Sequence, residues 1–373
     1  MFMGLSREYL NVLVNDRIPG IKSLRCIDDI CSELFYDDAP PRRDGGRASA
    51  RAARRWLSNL ETIQLPAPSF TFRPGDSDDM DDWKIHCFPL AERKVVCVDQ
   101  SGRGFIVHAD GDTSVLGSMP ALRKPKRMPF SLPIHCPGDD DALPGGSSLY
   151  IMERFPQHGD QFELLINRFL NNDPSYRQKF WQCDPLPSPP FIRKTKPRNG
   201  ENITGLEVTA YAVVGGGSHI CVSVEGAGTY WMDTAESHTW TQVGEWTLPF
   251  SGKVEHVPEL NLWFGLAADA KALAAADLSP MGYRPRLVGP WKELHDGTTE
   301  ECQDPQIVNL GSGRFCVARF FRAAAKDADE DFVVLTGVEV AWNGDDGEME
   351  LKMTKHMSRR LSNTDGATIE AVF

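Results

Sequence analysis

Four times along the chain a cysteine stands between an apolar or basic residue and a β-branched one, inside a run that reads as a strand. The phrases are Arg25-Cys26-Ile27, Val96-Cys97-Val98, Ile220-Cys221-Val222 and Phe315-Cys316-Val317. Self-similarity at intervals of tens of residues marks repeat architectures, in which each unit is one small sheet that cannot bury its faces alone. Short strands punctuated by glycine turns then predict an all-β chain of the β-propeller type.

The best-formed unit runs from Tyr211 to Pro249. Tyr211 to Val214 is a short apolar strand, Gly215 to Gly217 supply turn conformations, and Ile220, Val222 and Val224 alternate with period two. Glu225 to Gly228 turn the chain into Thr229 to Met232, Asp233-Thr234 turn it again, and Trp240 to Trp246 form an outer strand. Four strands in about 40 residues make one propeller blade.

Weaker copies of the plan cover the rest. Trp83 to Leu122 holds strands at Lys94 to Val98, Gly104 to His108 and Val115 to Pro120. Ser147 to Phe155 pairs with Phe162 to Asn167, with a third strand at Lys179 to Leu186. Val254 to Leu266, Ala272 to Leu278 and Trp291 give another unit, and Gln306 to Leu310, Arg314 to Phe321, Asp331 to Trp342 and Met349 to His356 the last. With Ser23 to Tyr36 read as a hairpin, the count is six blades, five and seven remaining open. Cys26, Cys97, Tyr150, Cys221, Trp263 and Cys316 mark the inner strands at intervals of about 40 to 70 residues. Tyr9 to Val14 is the expected closing strand, pairing the two ends of the chain. The expectation is one domain over residues 1–373, with a low-complexity Arg-, Ala- and Pro-rich insertion at 37–60 that carries six arginines from Arg42 to Arg55.

The Tyr211 to Pro249 unit resembles the kelch repeat, matching it at Gly216-Gly217, Asp233 and Trp240, with Met232 in the usual aromatic position. The stretches Lys94 to Phe105, Tyr211 to Thr234, Lys253 to Leu266 and Val308 to Phe321 resemble a large family of uncharacterised proteins in grasses. That family is related to plant domain-of-unknown-function and F-box-associated kelch-like proteins. The resemblance implies a plant source and a kelch-like propeller without assigning an activity. Because Met1 to Gly20 leads almost directly into strands, no F-box-type ligase-docking module is expected.

Lys plus Arg total 40 against 52 Asp plus Glu, a net charge of −12, which opposes general binding to nucleic acid or anionic membranes. No apolar run has the length of a signal peptide or a membrane span, so a cytoplasmic or nuclear location is expected. The nine cysteines include no CxxC pair and sit mostly in strand-like apolar contexts, as reduced, buried thiols do.

No motif identifies a reaction. Gly215 to His219 fits no phosphate-binding spacing and precedes a strand, and Gly311-Ser312-Gly313 reads as a hairpin turn. His108 to Asp112 lacks the calcium-loop pattern, while His86-Cys87 and His135-Cys136 are neighbours whose side chains point to opposite faces of a strand. Tyr211, Tyr230, Cys221 and His219 supply the residue types of a copper radical site, but a packed blade explains them as well. Arg123 to Arg127 reads as a solvated linker, with a nuclear-import signal the alternative. Trp231, Trp240, Trp246, Trp263 and Trp291 fall where tryptophans pack between blades. The sequence therefore predicts no catalytic, cofactor-binding or metal-binding residues and no cofactor. It predicts a protein-interaction propeller with an unidentified protein partner, the competing expectation being a hydrolytic or oxidative enzyme at a central channel.

Overall fold

Apolar runs separated by glycine-rich turns form antiparallel strands in the computed structural model. It describes residues 7–36, 59–75, 83–90, 93–110, 113–135, 147–156, 162–169, 179–194, 206–235, 237–280, 282–294, 301–322, 331–345, 348–362 and 367–373. The arginine-rich stretch expected at 37–60 lies outside the described residues except for its last two positions.

Leu10–Asn15 (β1) and Lys22–Ile27 (β2) form a hairpin, followed by the helix Ile30–Leu34 (α1) and the short strands Thr62–Gln64 (β3) and Phe70–Phe72 (β4). Ile85–Pro89 (β5), Lys94–Asp99 (β6), Gly104–Asp110 (β7) and Thr113–Met119 (β8) make a four-stranded meander. So do Pro129–His135 (β9), Ser147–Glu153 (β10), Phe162–Phe169 (β11) and Lys179–Leu186 (β12). The plan repeats in Val208–Val214 (β13), His219–Val224 (β14), Gly228–Asp233 (β15) and Trp240–Gly244 (β16). Phe250–Val257 (β17), Leu262–Ala267 (β18), Leu273–Ala276 (β19) and Val288–Trp291 (β20) follow in the same order. Glu301–Gly311 (β21), Arg314–Phe321 (β22), Phe332–Asp345 (β23) and Glu348–Ser362 (β24) complete the series, and Thr368–Val372 (β25) ends it. The class is thus all-β, built among the described residues from six groups of four strands, the unit from which propellers are made.

The chain divides into two compact units. One comprises Asp81–Val254 and Leu278–Pro285. Within it, the β9–β12 sheet is covered on both faces. Leu149, Ile151 and Leu165 pack with Phe88, Val96 and Val98 of the preceding meander, while Tyr150, Met152, Phe162 and Leu164 pack with Ile220, Val222, Tyr230 and Met232 of the following one. The start of β17 pairs in parallel with β13, Ala210 opposite Gly252.

The other unit comprises Met1–Met80, Glu255–Asp277 and Arg286–Phe373. Here the β21–β24 sheet is the covered layer. Phe315 and Val317 join Phe264, Leu273 and Ala275 on one face, and Cys316, Ala318 and Phe320 join Leu10, Val12 and Val14 on the other. α1 lies close on β23, where a Cβ at Gly337 would stand 2.4 Å from the Leu34 carbonyl oxygen, so only glycine permits the approach. β3 adds a parallel strand to β24.

The two ends of the chain pair as expected: β1 pairs with β2 on one edge and with β25 on the other, Val12 opposite Val372. Three expectations are corrected. Ser23 to Tyr36 is not a hairpin; β2 pairs with β1 instead, and Ile30–Leu34 is helical. Cys97, Tyr150, Cys221, Trp263 and Cys316 do occupy the second strand of their meanders, but Cys26 lies on the third strand of the order β25-β1-β2-β4, and it is only half-buried. The basic run is solvated at Arg123 and Arg127 but anchored at its centre. Lys126 is 6% exposed, its Nζ donating to Oε2 of the fully buried Glu163 at 2.6 Å. Glu163 also accepts from the Arg123 amide at 2.5 Å, and Glu153 accepts from the amides of Arg127 and Met128 at 2.7 and 3.0 Å. Two buried carboxylates on β10 and β11 thus fasten the segment leading into β9.

Removing one partner of a buried ion pair leaves the other charge uncompensated, which costs about 3–5 kcal/mol, whereas replacing both with apolar groups is far milder. Glu163→Gln is therefore expected to lower unfolding free energy by about 3 kcal/mol in urea titration, and Lys126→Met combined with Glu163→Leu by much less.

Candidate functional site

A surface cleft within one unit lies beside the strand that joins the chain's two ends. β25 is held there by a dense set of bonds. Asn11 and Phe373 exchange amide-to-carbonyl bonds of 2.8 and 2.9 Å, and Arg7 Nη2 donates to the Phe373 oxygen at 2.7 Å. The Val372 amide donates to Gln306 Oε1 at 2.6 Å, and Lys22 Nζ meets Glu370 Oε2 at 2.6 Å.

Between this seam and the β21–β23 strands opens a cleft of about 240 Å³ lined by Asn15, Cys302, Gln303, Phe320, Asp331, Phe332, Val333, Thr368, Ile369 and Glu370. Phe320 and Val333 are buried, while Cys302 and Asp331 are exposed. The cleft therefore has apolar walls and a polar margin with two carboxylates. Gln303 Nε2 donates to the Glu370 carbonyl at 3.3 Å, bracing one side against the other. Behind it, the buried Arg319 of β22 donates to Glu293, to Glu301 at 2.9 Å and to the Lys271 carbonyl at 3.1 Å. Burial works against that guanidinium, but the two carboxylates outweigh it and raise its pKa.

The residues singled out from sequence do not converge. In the β13–β16 register Tyr211, Val222 and Tyr230 stand opposite one another, whereas Cys221 pairs with Trp231 and His219 with Asp233. Tyr211 and Tyr230 therefore share one face of the sheet and Cys221 and His219 the other. Tyr230 Oη donates to the Ala227 carbonyl at 3.0 Å, and His219 Nδ1 lies 2.8 Å from Ser218 Oγ. His86 pairs with Val98 and Cys87 with Cys97, again on opposite faces. Cys136, Gly111 and Asp112 lie outside the described residues. Gly215–Gly217 and Gly311-Ser312-Gly313 are strand-to-strand turns with positive φ. No group of three or more His, Cys, Asp or Glu able to hold a metal occurs among the described residues.

Four of the eight described thiols, Cys97, Cys183, Cys221 and Cys316, are buried. Burial pushes Cys221 and Cys316 up to about 12, and burial, then the neighbouring Glu163 charge, pushes Cys183 to about 11. Such thiols stay protonated and weakly nucleophilic. Of the tryptophans, Trp240 packs across sheets as expected, lying against Phe162 and Phe191 and donating to the Pro187 carbonyl at 3.0 Å, while Trp231 and Trp263 are buried.

Four-stranded meanders whose sheets cover one another within each unit define an all-β protein. The chain matches the family described as "Protein of unknown function (DUF1668)" over residues 7–361, and it belongs to that family. No curated protein matches it. Among solved structures, it is similar to the Cps50 (Swd1) β-propeller domain of Myceliophteria thermophila, at 9% identity and TM-score 0.35, covering 98% of this chain and 89% of that one. It is also similar to apo AztD of Citrobacter koseri, at 10% identity and TM-score 0.36, covering 93% and 98%. At these scores neither likeness carries detail, and the fold class rests on the strand pairings themselves. Among the described residues no helix is long and apolar enough to cross a membrane.

Two predictions follow from the burial of titratable groups. With native protein, a thiol-specific alkylating agent is expected to modify the exposed Cys302 rapidly and Cys221 and Cys316 only on unfolding, as read by peptide mass spectrometry. His256 stacks on Trp263 at 4.2 Å with its Nε2 buried and unbonded, and burial lowers its pKa from 6.5 against the opposing pull of Asn261, Glu259 and Asp277. The unfolded chain therefore binds the proton first, so stability declines as pH falls through 6.5 toward the lowered folded value. His256→Gln should flatten that decline in denaturant titrations at about pH 7.5 and about pH 5.5.

Proposed function

We propose that this chain is a non-catalytic protein-interaction module, a single kelch-like propeller whose six four-stranded groups are its blades. The kelch reading is supported at Asp233, whose carboxylate accepts from the Ala235 and Ser237 amides at 3.0 and 2.9 Å and so shapes the turn before Trp240. Reduced, buried thiols support a cytoplasmic or nuclear location. The likeness of its sequence phrases to grass proteins supports a plant source.

The observation that carries the interaction reading is the cleft beside β25. Its apolar walls, Phe320, Phe332, Val333 and Ile369, suit one apolar anchor side chain of a partner, the type of contact that dominates binding energy. The margin, with Asp331 beside the Lys22-paired Glu370, suits a basic residue flanking that anchor, in keeping with a net charge of −12. The rigid seam of hydrogen bonds keeps the cleft preformed, which reduces the ordering cost of association.

The test uses an affinity-tagged full-length chain with a photo-crosslinking amino acid at position 331, illuminated in cell extract. Discrete protein adducts are expected. They should vanish when Cys302 carries a bulky maleimide or when Ile369→Arg fills the cleft, and a crosslinker at the exposed Tyr283 should not produce them. Adducts that survive both blocks undiminished would contradict the proposal.

A further inference from the structure

The first meander of the Asp81–Val254 unit holds a pair of thiols poised for chemistry. Cys87 on β5 and Cys97 on β6 are register partners, their sulfur atoms 3.7 Å apart and both thiols free. The ladder fixes what kind of pair this is. The Leu90 amide donates to the Lys94 carbonyl at 2.8 Å, and the Gln100 amide to the Lys84 carbonyl at 3.1 Å. Bonded and unbonded pairs alternate along an antiparallel ladder, so the pairs at 86/98 and 88/96 are bonded while 87/97 is not. Pro89, which has no N–H to give, falls in the unbonded set, as the assignment requires.

Opposed residues in an unbonded pair have Cα atoms about 4.5 Å apart, inside the span of about 4.4–6.8 Å that disulfides bridge. Closing the sulfurs to bonding distance then needs side-chain rotation without moving the strands.

We propose that Cys87 and Cys97 are a redox modification site, forming a cross-strand disulfide by exchange with a low-molecular-weight disulfide of the glutathione type. The half-buried Cys87, as thiolate, attacks one sulfur of the reagent and releases the other half as a thiol. Cys97 then gives up its proton and attacks the Cys87 sulfur of the mixed disulfide, expelling the second half. Two protein thiols are oxidised to one disulfide and one reagent disulfide is reduced to two thiols, which carry the two protons. The order of attack follows from burial: Cys97 is fully buried and its pKa is raised by that burial and by Cys87, so Cys87 is the nucleophile that meets the reagent. The bond ties β5, an edge strand, covalently to β6.

Reduced full-length protein would be incubated with oxidised glutathione, quenched by alkylation, digested and read by mass spectrometry. The expected result is a Cys87–Cys97 linkage with loss of two hydrogens, complete loss of Cys87 alkylation, and reversal by dithiothreitol. In the Cys97→Ser variant the reaction should stop at the Cys87–glutathione adduct. Two results in the wild type would overturn the proposal: Cys87 ending as the glutathione adduct while Cys97 stays a thiol, or both remaining thiols while exposed Cys302 is glutathionylated.

Discussion

Each meander depends on a strand that has hydrogen-bonded neighbours on both edges and apolar cover on both faces. Such a strand cannot alternate polar and apolar residues, because neither face meets water. Lys94–Asp99, His219–Val224, Leu262–Ala267 and Arg314–Phe321 are buried at every position after the first. Cysteine suits three of these strands because it is small and apolar enough to sit between two closely packed sheets, where a larger side chain would push them apart. At Cys97, Cys221 and Cys316 the recurring phrase is thus a packing requirement written in sequence.

Burying these strands leaves few places for charge, and the charges that are buried are spent on holding loops. Lys126 with Glu163 fixes the approach to β9, and Arg319 with Glu293 and Glu301 fixes the segments around β20 and β21. Such pairs offset much of their own desolvation and add little net stability, so their contribution is to geometry. Around β25 the same logic serves function in our reading. Arg7, Lys22 and Gln306 lock the last strand, and the cleft beside it acquires fixed walls.

Most strands were legible because their turns were. Tyr211 to Trp246 read correctly since Gly215 to Gly217, Gly226 and Gly228 require positive φ where the chain reverses. β9 was not legible: Pro129 and Pro133 in PFSLPIH argue against a strand, and only its edge position in the β9–β12 sheet makes them tolerable. β5 was hidden for a similar reason, with Pro89 at its end. The basic run misled because the two carboxylates that fasten it lie 25 to 40 residues further on, Glu153 and Glu163 being unremarkable in their local strands. The cleft was illegible altogether, because its lining comes from β1, β21, β22, β23 and β25 and the adjoining Asp331, and no local pattern links them.

Native-state hydrogen exchange along the chain tests the central claim most directly. Amides of β1, β6, β10, β14, β18 and β22 should exchange slowest, the outer β8, β12 and β16 much faster, and β25 at a rate close to that of β1. Exchange that is uniform across each meander, or a β25 that exchanges as fast as an unpaired segment, would contradict the account.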